Sequence, residues 1–266
     1  MPPLPELASY LGIGAVVGFF AGLLGIGGGL ITVSSLALMF AAHGYPPEYV
    51  MHMAVGTSLA VIVAGSWSSY RAHHRHGAVD WEVVRAMTPG MLAGVLAGAV
   101  VARFLTTAFL KYFFLAVMAA ITAQMAFGLR PKPSRALPGK GALAGVGAAI
   151  GVLSSLMGGG AAAVGVPFLT WCNVTTHRAI GTVAAMGFPL ALAGTAGYIA
   201  SGWNAGRLPA GSAGFVYLPA FVAIAIPSML LAPLGARLAH RLKGATLRRI
   251  FAAFLAVMGV KIALSV

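Results

Sequence analysis

Gly25-Ile26-Gly27-Gly28-Gly29 breaks an otherwise apolar run from Leu7 to Ala42. The cluster returns in the second half of the chain as Gly158-Gly159-Gly160-Ala161-Ala162. A soluble helix does not place glycines at its centre, because each costs about 1 kcal/mol relative to alanine. In a membrane protein such a break has a use. It ends one half-helix and starts another, and leaves unpaired backbone N–H groups around a cavity. The two breaks are therefore expected to form a ligand site.

The segments around the first break set the architecture. Residues 7–24 and 30–41 flank it, and the second piece is too short to cross a hydrocarbon core of about 30 Å alone. The pair reads as a hairpin, re-entrant or broken, that dips into the membrane and returns. Helices are predicted over 49–70, 86–104 and 108–129. A basic loop spans Arg71 to Arg85 and holds His73-His74-Arg75-His76 and Asp80-Trp81-Glu82. The second half repeats the order, with a hairpin of 141–156 and 161–171, then helices over 179–200, 212–234 and 247–264. Four matches in the same order carry the repeat. Besides the breaks, His52 to Thr57 corresponds to His177 to Thr182, Gly98-Ala99 to Gly235-Ala236, and Phe114 to Met118 to Phe254 to Met258. The organisation is a first membrane repeat over 1–129, a cytoplasmic linker over 130–140 and a second membrane repeat over 141–266.

Composition agrees. Of 266 residues, 59% are hydrophobic and 8% charged, and the mean hydropathy is +0.92. No soluble domain of this size is so poor in charge. Continuous Gly/Ala-rich runs exclude an alternating outer-membrane barrel. The class is an all-α polytopic membrane protein. Gly14/Gly18/Gly22, Gly90/Gly94/Gly98 and Gly147/Gly151 have the spacing that packs helices closely in lipid. The net charge of +13 lies in short loops, where it orients the chain in the bilayer and does not imply nucleic acid. One cysteine, Cys172, permits no internal disulfide. The first six residues form no basic n-region, so a cleaved signal peptide is not expected.

Charge selects the topology. With a returning hairpin and three crossings per half, the halves are inverted. Arg103, Lys111, Arg207 and Lys261 then lie on one side and the other 13 basic residues on the opposite side. The heavy side is cytoplasmic by the positive-inside rule, with both termini outside. If each hairpin crossed once, the split would be 9 against 8 and would orient nothing.

The second arm of each hairpin offers free N–H groups and the positive end of a helix dipole, which is an anion site. The candidate substrate-binding residues are Gly25, Gly27, Gly28, Gly29, Leu30, Gly158, Gly159, Gly160, Ala161 and Ala162. Thr57, Ser58 and Thr182 are the candidate hydroxyl donors. Ser34, Ser35, Ser154 and Ser155 are weaker ones, because such hydroxyls often bond their own helix. The acidic residues Glu6, Glu48, Asp80 and Glu82 all fall in loops or at helix ends, so no helix-core carboxylate offers a cation site. His52 and His177 occupy matching repeat positions and are candidates for proton handling, weighed against helix capping. Loop histidines without a completing ligand set do not make a metal site. No nucleophile–base pair is present, so neither an enzyme nor a cofactor is expected.

Gly25 to Gly29 followed by Ala54-Val55-Gly56-Thr57-Ser58, with the repeat across two halves, resembles the TauE/SafE family of sulfite and organosulfur anion exporters. The resemblance covers nearly the whole chain, and Asp80-Trp81 fits its following loop. Ser34 stands where the family usually has proline, the second break reads Gly-Gly-Gly-Ala-Ala, and Val183 replaces the serine after Thr182. The resemblance implies a secondary transporter that exports sulfite, a sulfonate or a related sulfur-containing anion. The alternatives are cation-coupled uptake of the same anions through His52 or His177, a metal-ion permease using the histidine loop, and a non-transporting membrane scaffold.

Overall fold

A computed structural model describes residues 3–24, 28–75, 79–128, 133–159, 161–239 and 244–265. The chain forms helices α1 (Leu4–Leu24), α2 (Gly29–Ala42), α3 (Val50–Arg75), α4 (Trp81–Ala102), α5 (Thr107–Ala126), α6 (Lys140–Met157), α7 (Ala161–Trp171), α8 (Thr176–Gly202), α9 (Leu218–Ala239) and α10 (Gly244–Ser265). A two-stranded ribbon, β1 (Ser212–Ala213) and β2 (Val216–Tyr217), precedes α9. Among the described residues, α1, α4, α5, α6, α8 and α9 are long and apolar enough to cross a membrane. The second hairpin arms, α2 with 14 residues and α7 with 11, are too short to do so.

The glycine stripes fix the closest helix pairs. Gly14, Gly18 and Gly22 of α1 press on the backbone at Ile224, Ser228 and Ala232 of α9. Gly90 and Gly94 of α4 meet Ala144 and Ala148 of α6, and Gly147 and Gly151 of α6 meet Met87 and Met91 in return. A Cβ at any of these positions would collide with a backbone carbonyl. Both pairs keep a constant offset along the chain, so α1 runs parallel to α9 and α4 parallel to α6. All three small-residue sets are packing surfaces, as their spacing predicts.

Three further contacts give the helix directions. The Tyr45 hydroxyl donates to Glu6 Oε1 at 2.7 Å, so the chain leaving α2 has returned to the start of α1. The backbone N–H groups of Ser134 and Arg135 donate to the Trp171 carbonyl, so α7 ends beside the segment that leads into α6. His52 Nε2 lies 2.9 Å from the Ala102 carbonyl oxygen, which places the start of α3 at the end of α4. It follows that α1 runs away from that face, whereas α4 and its parallel partner α6 run toward it.

Among the described residues the interior has two cores. One gathers Tyr10, Phe40, Met53, Phe114 and Leu255 from α1, α2, α3, α5 and α10. The other gathers Met87, Met91, Ile150, Leu169 and Met186 from α4, α6, α7 and α8. Outside them, Leu96, Val100, Leu230 and Leu264 stand exposed on the helix surfaces, as lipid-facing positions do.

Two sequence expectations are corrected. The basic loop is far shorter than Arg71 to Arg85, because α3 continues to Arg75 and α4 starts at Trp81. Asp80 sets that start, its carboxylate accepting from the N–H groups of Glu82 and Val83. His73 and His74 thus fall in the last turn of α3, while His76 and the side chains of that turn lie outside the described residues. The second correction is at α9, which starts at Leu218 and not near Ser212. Gly214, at φ +54 and against the Ile199 carbonyl, turns the ribbon there, in a conformation other residues rarely adopt.

Candidate functional site

The two glycine breaks touch. A Cβ on Gly29 would lie 3.0 Å from the carbonyl oxygen of Gly158 and 3.4 Å from Cα of Gly159. Gly28 is left-handed, at φ 60, and gives α2 no side-chain cap. Thr32 N–H closes the first turn on the Gly28 carbonyl at 2.9 Å. The N–H groups of Gly29, Leu30 and Ile31 therefore have no partner within the helix, and all three residues are buried. On the other side, Gly158 and Gly159 have φ of 70 and 117, and both N–H groups turn back to the Ser154 carbonyl. That closes α6 and leaves the Gly158 carbonyl facing the first break.

Ser58 joins the two. Its hydroxyl donates to the Gly158 carbonyl at 2.8 Å and lies 3.4 Å from that of Gly29. Val33, Val55 and Ile62 complete the wall, since a side chain on Gly158 or Gly159 would run into them. Among the described residues the junction is lined by backbone dipoles, one hydroxyl and apolar groups. Gly25, Gly27 and Gly160 lie outside the described residues. Ala161, buried, and Ala162, half-buried, open α7.

Thr57 and Thr182 make matching contacts across the halves. Thr57 Oγ1 accepts the Tyr217 N–H at 3.0 Å, at the entrance to α9. Thr182 Oγ1 accepts the Asp80 N–H at 2.9 Å, at the entrance to α4. Each threonine thus holds the start of a helix from the opposite half. Their repeat neighbours diverge, for Ser58 bridges the breaks while Val183 packs toward Gly165 and Ile150.

Ser34 donates to the Leu30 carbonyl of its own helix. Ser154 and Ser155 are buried, and Ser155 sits against Gly98. His52 is buried with Nε2 between the carbonyl oxygens of Ala102 and Leu105, where it caps the end of α4. His177 is exposed in the first turn of α8.

Sequence reasoning missed two polar groupings. Arg178 pairs with Asp80 at 3.1 Å beside the Thr182 contact. Glu6, read as a terminal residue, is 5% exposed and accepts from the hydroxyls of Tyr10 and Tyr45, both at 2.7 Å. The spacing of Glu6 and Tyr10, one helical turn apart, was the available signal. Burial, then hydrogen bonds with Tyr217 and Glu6, raises the Tyr45 phenol far above its ordinary range.

A family model described as sulfite exporter TauE/SafE matches residues 10–262. The chain belongs to this family. The TauE/SafE match spans both hairpins and both breaks. A probable membrane transporter protein of Haemophilus influenzae is 33% identical over 251 residues, which cover 93% of this chain and 94% of the relative. One of Methanocaldococcus jannaschii is 27% identical over 257 residues, covering 93% and 92%. No solved structure matches the chain. With its apolar helices, this TauE/SafE protein is a multi-pass membrane transporter.

Proposed function

We propose that the protein exports a small sulfur-containing anion, such as sulfite or a sulfonate, by alternating access at the junction of the glycine breaks. The observation that carries this reading is the junction itself, where the uncapped start of α2 meets Gly158 and Gly159 across Ser58. Buried N–H groups at a helix start favour an anion. A site of neutral dipoles binds moderately, which suits a carrier that must release its cargo. The family description supplies the class of anion.

The two halves act as inverted repeats around this junction. The opposite courses of α1 and α6, the return of both hairpins and the reciprocal threonine contacts support that arrangement. The carrier sits in the bacterial inner or plasma membrane with both termini outside and the 130–140 linker in the cytoplasm. An inside-negative potential then drives the anion outward by about 2.3 kcal/mol per charge per 100 mV.

Proteoliposomes loaded with sulfite test the proposal. Efflux should exceed that of protein-free vesicles, rise with an imposed inside-negative potential and fall in Gly28→Val. Efflux equal to that of empty vesicles at every potential overturns it.

A further inference from the structure

We propose that the starting ends of α4 and α6 hold a phospholipid headgroup, with its phosphate on Arg85 and Lys140 and its primary ammonium on Glu82. The site is apart from the glycine junction. It draws on the transporter reading only for the leaflet, which is the cytoplasmic one in the proposed orientation. A cleft of about 580 Å³ opens here, lined by Glu82, Arg85, Ala86 and Lys140. That volume falls within the range of small-ligand sites, about 300–1,000 Å³.

Helix packing builds the cleft. Gly90 meets Ala144 and Gly94 meets Ala148, and the same register sets Ala86 level with Lys140, the first residue of α6. Ala86 ends at its Cβ, so the space beside it stays open. Arg85 lies one turn into α4 and Lys140 opens the neighbouring helix, so two cations from different helices line one cleft. Basic residues at helix ends ordinarily reach the interface singly and only orient the chain. Converging cations between membrane helices match a lipid phosphate. The nearby carboxylate of Asp80 is engaged by Arg178 and by the N–H groups of Glu82 and Val83. Glu82 therefore supplies the acid of the cleft, and a group of both charges fits a headgroup of both charges.

The surroundings favour a lipid over a soluble zwitterion. Both helices are long and apolar enough to cross a membrane, and the cleft lies at the start of each. Trp81, exposed at the same level, is an interfacial residue type. Below the cleft, Pro89, Ala93, Leu96 and Val100 are exposed at steps of three or four residues, so they share one face of α4. Gly141, Gly145 and Ala149 are exposed on α6 beside them. The two faces together are apolar, with room for an acyl chain running down from the headgroup. A lipid seated there would bridge α4 of the first half and α6 of the second.

The test uses full-length protein, purified in detergent and stripped of lipid. It is titrated with phosphatidylethanolamine, phosphatidylcholine or water-soluble glycerophosphoethanolamine, with binding read by native mass spectrometry beside thermal melting. The parent should bind phosphatidylethanolamine about tenfold more tightly than phosphatidylcholine, whose quaternary ammonium has no N–H for Glu82, the ratio that one charge-assisted hydrogen bond supports. The tighter lipid should also raise the melting temperature. Arg85→Gln combined with Lys140→Gln should lose the tight binding. Ala86→Phe should lose it with every charge kept, and Glu82→Ala should bind both lipids alike. Melting without lipid reports that each variant is folded. Arg103→Gln, exposed at the other end of α4, should behave as the parent. Equal binding of phosphatidylethanolamine by the parent and the double variant, or of both lipids by the parent, overturns the proposal. So does glycerophosphoethanolamine that matches the lipid in affinity, since the occupant would then be water-soluble. Sulfite flux is no part of this readout, so the lipid site and the carrier reading fail separately.

Discussion

The hydroxyl of Ser58 donates to the carbonyl of Gly158 at 2.8 Å, across 100 residues of chain. That one bond brings the break of the second half against the break of the first. Ser58→Ala leaves a buried carbonyl without its donor, a change that costs about 1–3 kcal/mol. The protein should melt at lower temperature and lose sulfite transport more than proportionately, because the junction loosens at the site. Thermal denaturation beside liposome flux checks this, and parental flux in Ser58→Ala would remove Ser58 from the site.

Gly28 and Gly94 should separate function from stability. Gly94 has the Ala148 carbonyl where a Cβ would go, so Gly94→Val must force α4 off α6. Overpacking of this kind costs about 1–3 kcal/mol or more. At Gly28 a Cβ would meet the Ala21 methyl at 3.1 Å and Val17 at 3.2 Å, with a left-handed backbone. Gly28→Val should fold, at a cost of about 1–2 kcal/mol from that conformation, yet transport worse than Gly94→Val protein that survives purification. A Gly28→Val carrier working at the parental rate would contradict the assignment.

Thr57→Val and Thr182→Val should both destabilise. Each strips the acceptor from a backbone N–H at a helix entrance, Tyr217 or Asp80. A cost of about 1–3 kcal/mol is expected where the orphaned group stays buried. Thr57→Val should be the larger, since its bond is fully buried and the Asp80 bond only partly so. Chemical denaturation midpoints test the order.

Alkali should unfold the protein through its phenols. Tyr45 is raised in the fold by burial and by its hydrogen bonds with Tyr217 and Glu6, whereas in the unfolded chain it ionises near about 10. The folded state then holds a proton that the unfolded state has lost. This stabilisation is complete below about pH 10 and declines as pH rises above it. Tyr45→Phe should lose less stability between about pH 9 and about pH 11, as read from melting temperatures.

Topology can be read by labelling. Ser134 and Ser265 are exposed, and Cys172 is buried with its thiol pushed up by that burial. In a Cys172→Ser background, an impermeant reagent should label Ser265→Cys in intact cells and Ser134→Cys only after permeabilisation. The reverse pattern would overturn the proposed orientation.

Much of this was legible in the sequence because lipid leaves few choices. A backbone that must satisfy itself inside the bilayer reads as apolar runs, so the helices fall near their expected places, and glycine spacing marked packing faces on α1, α4 and α6 without telling which helices meet there. Long-range polar pairing was not legible. Nothing local in Thr57 or Thr182 tells that the partner is an N–H from the other half, and both read equally well as ligand donors. Glu6 was misplaced for a similar reason, since one of its two hydroxyl partners is Tyr45, 39 residues along the chain. The same holds for the start of α9, where the ribbon depends on Ile199 leaving room only for Gly214.

The pairing of α1 with α9 also sets a schedule for biosynthesis. Gly14 cannot meet Ile224 until about 200 further residues have been made. At about 5–20 residues per second, the first helix waits about 10–40 s with its glycine stripe bare. During that wait the insertion machinery, or another helix in the membrane, is its only neighbour. A truncated chain ending before α9 would leave that stripe open permanently, which makes it a natural target for membrane quality control.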